Sequence, residues 1–138
     1  MTKINQKIFR EYDIRGIVGE DLSEDFAYVL GKAFAEYLNA RAVKKVLVAR
    51  DTRATSESYS KSLIRGLTHG GCDVYDMGIA IVSTLHFAIE HWGIEGGVMV
   101  TASHNPPQYN GFKLYHKDNS VSGDELQDCP PAKQHCNE

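Results

Sequence analysis

The short apolar run Val46-Leu47-Val48-Ala49 is the feature that most limits what this chain can fold into. It lies between two segments, residues 23–40 and 55–69, in which apolar side chains recur at helical spacing. A continuous apolar run of this length is typical of a strand that is buried on both faces, as in a parallel sheet. A buried strand between two amphipathic helices predicts βαβ units, and the expected fold class is therefore α/β.

The same alternation continues along the chain. We expect a strand at Cys72–Tyr75, a loop through Gly78, a helix at about Thr84–Trp92 and a strand at Gly97–Thr101. Helices between successive strands cover a sheet on both faces. The predicted architecture is a three-layer α/β/α domain with a mixed, mainly parallel sheet.

The two ends of the chain add shorter elements. Two short strands, at residues 8–12 and 16–18, are expected around a polar turn at residues 13–16. Residues 110–116 alternate in hydrophobicity as a strand does, and Lys117-Asp118-Asn119 is typical of a hairpin turn. Residues 1–126 are expected to form the domain. Residues 127–138 show no periodicity and contain a Pro-Pro pair, so we expect an irregular or disordered tail.

Composition excludes several classes of protein. The net charge of −3 is scattered, which argues against a nucleic-acid surface. No apolar stretch could span a bilayer and the N-terminus lacks the apolar core of a signal peptide, so a cytoplasmic protein without a membrane partner is expected. Three cysteines form no disulfide framework. Cys129 and Cys136, with His135 between them, match no usual zinc spacing, and no metal is expected there.

Residues 101–113, Thr-Ala-Ser-His-Asn-Pro-Pro-Gln-Tyr-Asn-Gly-Phe-Lys, carry the clearest chemical signal. The pattern predicts that Ser103 lies at the tip of a buried strand and that the chain returns Lys113 towards it. The loops at 50–55, 76–83 and 102–108 follow strands, and ligands bind at the carboxyl edge of open α/β sheets. A stiffly held hydroxyl beside a cation favours phosphoryl transfer through a phosphorylated serine.

Simpler interpretations exist for each residue. Ser103 could end its strand in a local turn, and Lys113 could be solvated. Arg15 could pair with Asp13 or Glu11, while Asp51 and Arg53 are interpreted as bracing the loop edge. A serine hydrolase is disfavoured, because neighbouring side chains diverge, so that His104 is poorly placed to deprotonate Ser103, and because no Gly-x-Ser-x-Gly elbow is present.

Three motifs together resemble one enzyme family: Phe-Arg-Glu-Tyr-Asp-Ile-Arg-Gly at 9–16, Ala-Arg-Asp-Thr-Arg at 49–53 and Thr-Ala-Ser-His-Asn-Pro at 101–106. Over residues 8–126 the chain resembles the N-terminal domain of the α-D-phosphohexomutases, which include phosphomannomutase and phosphoglucomutase. These enzymes are isomerases that move a phosphoryl group between the 1- and 6-positions of a hexose phosphate. The resemblance implies mannose or glucose phosphate as substrate.

The resemblance also implies roles for single residues. Ser103 would carry the phosphoryl group, and its phosphate would bind Mg²⁺. His104 and Lys113 would be the acid/base and charge-stabilising groups, and Arg15 would line the cleft. Tyr12 and Asn105 would bind substrate. Hexose 1,6-bisphosphate would act as activator.

Members of this family are longer, with four domains around one cleft. Their metal-binding Asp-Gly-Asp-x-Asp-Arg loop and their sugar-selecting residues lie in domains that this sequence lacks. Two expectations follow. The chain is either the first domain of a phosphohexomutase, inactive alone, or a non-catalytic module that binds phosphate or a protein partner. As a module it could form a homodimer through the face that other domains would cover.

Overall fold

A computed structural model describes residues 4–10, 13–122 and 125–126 of the chain. Its strands are β1 (Ile14–Ile17), β2 (Lys45–Arg50), β3 (Asp73–Ile79), β4 (Gly96–Val100), β5 (Tyr109–His116) and β6 (Asn119–Ser120). Its α-helices are α1 (Glu24–Asn39), α2 (Ser56–His69) and α3 (Val82–Trp92). One turn of 3-10 helix, Gln6–Ile8, precedes β1.

The strands form one sheet in the order β1-β5-β4-β2-β3, with β6 paired to β5. The ladders of β2 with β3 and with β4 are parallel. Strand β5 pairs antiparallel with β1, β4 and β6, so within the described sheet it alone runs against the common direction. The predicted α/β fold with a mixed, mainly parallel sheet is confirmed.

Alternate residues of β2 show why the sheet lies between two helical layers. Val46 and Val48 belong to the core formed with α1 and α2, whereas Leu47 and Ala49 belong to the core formed with α3. All four side chains are at most 1% exposed. An apolar residue is therefore required at every position, which is the physical reason for the continuous run in the sequence.

Helix α1 begins and ends within one residue of its predicted limits. Ser23 is the N-cap, and its hydroxyl accepts a hydrogen bond of 3.0 Å from the Phe26 N–H. Glu24 and Asp25 lie in the first turn, where carboxylates stabilise the positive end of the helix dipole. The buried stripe of α1 packs against α2.

Two glycines allow the backbones of α1 and α2 to come unusually close. A Cβ atom added to Gly66 in α2 would lie 2.1 Å from the carbonyl oxygen of Tyr28 in α1. A Cβ atom added to Gly31 in α1 would lie 2.3 Å from the carbonyl oxygen of Leu63 in α2. Because the atoms in contact are backbone atoms, a larger side chain would force the helices apart.

We expect Gly66→Ala to lower the free energy of unfolding by about 2 kcal/mol, the usual range for overpacking. The sign of this stability change is informative, because alanine intrinsically stabilises a helix interior by about 1 kcal/mol relative to glycine. Urea denaturation measures the change, with Thr68→Ala at an exposed position of the same helix as the control. A stability gain in Gly66→Ala would contradict the close crossing.

Three of the predicted local structures are wrong. Ile14–Gly16 do not form a turn, because β1 pairs with β5 and carries Ile14, which is 2% exposed, into the core. Residues 6–8 form a 3-10 turn, and Phe9 makes only an isolated bridge to Ile14 in place of the expected strand. Strand β3 also continues through Gly78, where the register with β2 shifts and the backbone has φ +70°. A β-bulge at a glycine lets a strand bend and continue at a position where a loop is expected from the sequence.

Asp21 fixes the chain where it leaves β1. One carboxylate oxygen accepts a 2.9 Å hydrogen bond from the Ile17 N–H, and the other accepts a 3.0 Å bond from the Asn5 side chain. These bonds, chiefly the one from the Ile17 N–H, favour the charged form and lower the pKa of Asp21 from its ordinary value of 3.8.

A group whose pKa is lowered by folding stabilises the fold above its unfolded pKa, and that contribution is lost as the pH falls through the folded pKa. Asp21→Asn should therefore be less stable than the natural chain at neutral pH. The difference should shrink as the pH falls below about 4. Urea denaturation at a series of pH values tests this, and a difference that does not vary with pH would contradict it.

Candidate active site

Three loops meet at the carboxyl edge of the sheet, as predicted. They follow β2, β3 and β4, and they enclose a cleft of about 610 Å³. The cleft is lined by Asp51, Thr52, Arg53, Ala80, Ile81, Val82, Met99, Thr101, Ser103, His104, Asn105 and Pro107. The Ser-His loop thus lines a cleft to which the ends of these strands contribute polar groups.

Ser103 lies exposed at the cleft with an unusual backbone conformation. Its φ angle is +56°, in the left-handed region. Its N–H donates a 3.0 Å hydrogen bond to Oγ1 of Thr101, and Asn105 N–H donates to the Ala102 carbonyl at 3.1 Å. A left-handed residue other than glycine costs about 1–2 kcal/mol, so the surrounding loop must enforce it. Among the described residues the Ser103 hydroxyl has no hydrogen-bond partner.

Arg53 lies against the underside of this loop. Nη2 donates hydrogen bonds to the carbonyl oxygens of Ser103 (2.9 Å) and Asn105 (2.7 Å). Nη1 donates to the carbonyl oxygens of Pro106 (2.9 Å) and Tyr109 (3.1 Å). These contacts agree with the interpretation of Arg53 as a brace of the loop edge.

Asp51 connects this brace to the sheet and to α2. Its Oδ2 accepts a 2.6 Å hydrogen bond from the Thr101 hydroxyl and lies 3.3 Å from Nε of Arg53. Its Oδ1 accepts hydrogen bonds from the Ser56 hydroxyl and, at 3.0 Å, from the Arg53 N–H. One carboxylate thereby joins the ends of β2 and β4 to the start of α2.

We expect Asp51→Asn to lower the free energy of unfolding by about 2–3 kcal/mol, because hydrogen bonds to a charged group are among the stronger ones and the Arg53 guanidinium would lose its counter-ion. Urea denaturation measures the loss. Asp76→Asn is the matched control, since Asp76 lies within the neighbouring strand β3 and accepts an exposed hydrogen bond from Gly78 N–H. Equal stabilities of the two variants would contradict this role of Asp51.

The side chain at the start of α2 makes a contact other than a helix cap. Thr55 is the N-cap residue, but its side chain does not cap the helix. Its hydroxyl instead accepts a 2.9 Å hydrogen bond from the amide nitrogen of Asn110, which also donates to Ser56 Oγ at 3.1 Å. Asn110 is fully buried, and its own side-chain oxygen accepts from the Gly111 N–H at 2.8 Å. Sequence reasoning assigned Asn110 no role, although its place in the Asn-Gly pair was a usable signal.

Arg15 does pair with Asp13, as one sequence interpretation held. Its Nε lies 2.7 Å from Oδ2 of Asp13, and its Nη1 donates to the side-chain oxygen of Asn105. Asp13 is buried and has a second cation, Arg10, at 3.6 Å. Arg15 therefore ties β1 to the Ser-His loop while it remains beside the cleft.

The remaining predicted site residues differ in their position relative to the cleft. His104 is exposed and lines the cleft. Lys113 is half-buried in β5, where its register partner is Met99, itself a lining residue. Lys113 thus lies on the strand next to β4, opposite a residue that lines the cleft. Tyr12 lies outside the described residues, as do Cys129 and Cys136.

Neither a cluster of metal ligands nor a membrane-spanning helix is found in the described part of the chain. No group of three or more His, Cys, Asp or Glu side chains there could hold a metal ion. Mg²⁺ prefers six oxygen ligands in octahedral geometry, and both oxygens of Asp51, the carboxylate at the cleft, are already engaged. These residues by themselves do not fit a Mg²⁺ site. No helix among the described residues is both long and apolar enough to cross a membrane.

Comparison with known proteins places the chain in a family. Residues 6–128 match the sequence model of phosphoglucomutase/phosphomannomutase, alpha/beta/alpha domain I. The chain belongs to the phosphoglucomutase/phosphomannomutase family. The resemblance drawn from the three sequence motifs is therefore confirmed.

Individual relatives support this family assignment. A phosphomannomutase of Klebsiella pneumoniae is 47% identical over 84% of this chain and 73% of its own length. An Escherichia coli phosphomannomutase is also 47% identical, but the match covers 25% of that protein. A Neisseria gonorrhoeae phosphoglucomutase is 38% identical over 93% of this chain and 28% of its own length. Apart from the Klebsiella protein, the chain thus spans about a quarter of these relatives.

Solved structures show the same fold. A phosphoglucomutase/phosphomannomutase family protein from Burkholderia thailandensis superposes with a TM-score of 0.86 and 34% identity, over 97% of this chain and 30% of that one. A phosphomannomutase homologue from Thermus thermophilus gives a TM-score of 0.78 at 27% identity, over 92% of this chain and 29% of that one. Both matches support the three-layer architecture.

Proposed function

We propose that this chain is the phosphoserine-bearing domain of a phosphohexomutase, in which Ser103 takes a phosphoryl group from one position of a hexose phosphate and returns it to another. One observation supports this most strongly: the Ser103 hydroxyl is exposed at the cleft while the backbone that carries it is held rigidly on both sides. A nucleophile held in place enters the reaction with little loss of conformational entropy.

The charges around the loop suit an anionic substrate. Arg10 and Arg15 share the single carboxylate of Asp13, which leaves a positive charge in excess where Arg15 reaches Asn105. Phosphoryl transfer develops negative charge over three equatorial oxygens, so fixed cations near the acceptor stabilise the transition state. In the proposed roles, Arg15 supplies this field and Tyr12 and Asn105 contact the substrate.

The proposed step transfers the phosphoryl group from a sugar oxygen to Ser103 Oγ. The bond between Ser103 Oγ and phosphorus forms as the bond between phosphorus and the sugar oxygen breaks. The serine hydroxyl gives up one proton, and the sugar oxygen takes up one proton. His104, exposed in the cleft, is the proposed acid/base group at the sugar oxygen, since its side chain diverges from that of Ser103. Lys113 is proposed as the charge-stabilising group, which requires its side chain to extend from β5 past Met99.

The substrate proposal rests on the relatives, which are named phosphomannomutase and phosphoglucomutase. We propose mannose or glucose phosphate, with hexose 1,6-bisphosphate as the donor that loads Ser103. Residues that complete a Mg²⁺ site and that select the sugar are proposed to lie in the part of those relatives that this chain does not match. The chain alone would then accept a phosphoryl group without completing the mutase reaction.

A second candidate is a module that binds a partner without turnover. It is favoured by exposed apolar side chains near the end of β3 and on α3. These are Ile79, Ile81, Phe87 and Trp92, each at least 59% exposed. Exposed apolar groups that form a contiguous patch mark interaction surfaces, and a homodimer is one arrangement that would cover such a patch.

Incubation of the purified chain with glucose 1,6-bisphosphate and Mg²⁺, followed by intact-mass measurement, tests the proposal. The expected result is a gain of one phosphoryl group that is lost in Ser103→Ala. Ser120→Ala, at an exposed position of β6, is the control and should gain the phosphoryl group like the natural chain. A natural chain that gains nothing would overturn the proposal and favour the module.

A further inference from the structure

We propose that Arg53 is a positioning residue for Ser103: its guanidinium group shapes the loop that presents the serine and does not itself bind the phosphoryl group. The inference rests on the function proposed above and refines it. An arginine beside a phosphorylated residue is usually taken for a phosphate ligand, because its planar fork matches phosphate oxygens. The hydrogen bonds of Arg53 exclude that role in this conformation.

All four Nη donors of the guanidinium group are engaged. Arginine has five N–H donors, four of them on the two Nη atoms. Those four contact four carbonyl oxygens, those of Ser103, Asn105, Pro106 and Tyr109, at 2.7–3.1 Å. Nε faces Oδ2 of Asp51 at 3.3 Å, and the side chain is only 16% exposed. A phosphate could reach Arg53 only if carbonyls of the loop were released.

The contacts also close a ring that returns to Ser103. The Ser103 N–H donates to Thr101, the Thr101 hydroxyl donates to Asp51, Asp51 pairs with Arg53, and Arg53 donates to the Ser103 carbonyl. Both peptide groups that flank the Ser103 Cα are therefore fixed. This is the arrangement needed to hold a non-glycine residue at a φ of +56°.

Arg53 supplies hydrogen bonds to the loop carbonyls that the loop's own N–H groups supply only in part. Pro106 and Pro107 lack N–H groups and cannot donate hydrogen bonds. The Pro106 carbonyl is bound by the Tyr109 N–H and by Arg53, and the Asn105 carbonyl is also bound by Arg53. A lysine at position 53 would keep the charge but could supply at most three donors from one nitrogen, so it could not replace the planar fork.

The kinetics of Ser103 phosphorylation distinguish positioning from phosphate binding. The initial rate of phosphoryl uptake from glucose 1,6-bisphosphate is measured against its concentration for the natural chain and Arg53→Lys. A positioning role predicts that the maximal rate falls about a hundredfold, as misplacement of a reacting group by about 1 Å does, with an unchanged half-saturating concentration. A raised half-saturating concentration with an unchanged maximal rate would overturn the inference in favour of phosphate binding. Arg65→Lys, on the exposed side of α2, is the control.

Amide hydrogen exchange supplies a test that needs no phosphoryl transfer. In Arg53→Lys the peptide that covers residues 101–112 should exchange faster, while peptides of α1 keep their protection. Unchanged exchange in the loop would overturn the inference. If Arg53→Lys does not fold, Thr101→Val, which removes only the hydroxyl link of the ring, should show the same loss of loop protection and of maximal rate. Failure of the natural chain to gain phosphate overturns the proposed function, whereas normal uptake by Arg53→Lys overturns only the positioning role.

Discussion

The loop conformation at the active-site edge of this domain depends on the interactions of the Asp51 carboxylate. It accepts hydrogen bonds from the start of α2 and from the end of β4, and it holds the guanidinium group of Arg53. The strands place these groups within reach because β2 and β4 are parallel neighbours that end at the same edge. A small set of partly buried polar contacts thus fixes the conformation of the loop at this edge of the sheet.

The layered fold could be predicted because residues 46–49 of β2 are all apolar and all buried. A strand that is covered on both faces needs an apolar side chain at each covered position. The sequence of α1 likewise shows its stripe of buried residues and its N-cap. The turn expected at residues 13–16 failed for a different reason. Ile14 is drawn into the core by pairing with β5, a partner almost a hundred residues away that local turn preferences do not reveal.

The site was predictable only in part. The position of Ser103 followed from the strand that precedes it, and the pairing of Arg15 with Asp13 follows from their closeness in sequence. The four carbonyl oxygens bound by Arg53 could not be predicted, because carbonyl directions depend on the φ and ψ angles of a loop without periodicity. The same holds for Asn110, whose partners come from the start of α2.

The side-chain N–H signals of Arg53 in a ¹⁵N-edited NMR spectrum, assigned by their loss in Arg53→Lys, test the central claim most directly. A guanidinium group whose Nη donors are all bound to carbonyls cannot rotate freely and exchanges slowly with water. Separate, slowly exchanging Nη–H signals for Arg53 are therefore the predicted result. One averaged, rapidly exchanging signal, as for an arginine in solvent, would show that the guanidinium group does not hold the Ser103 loop.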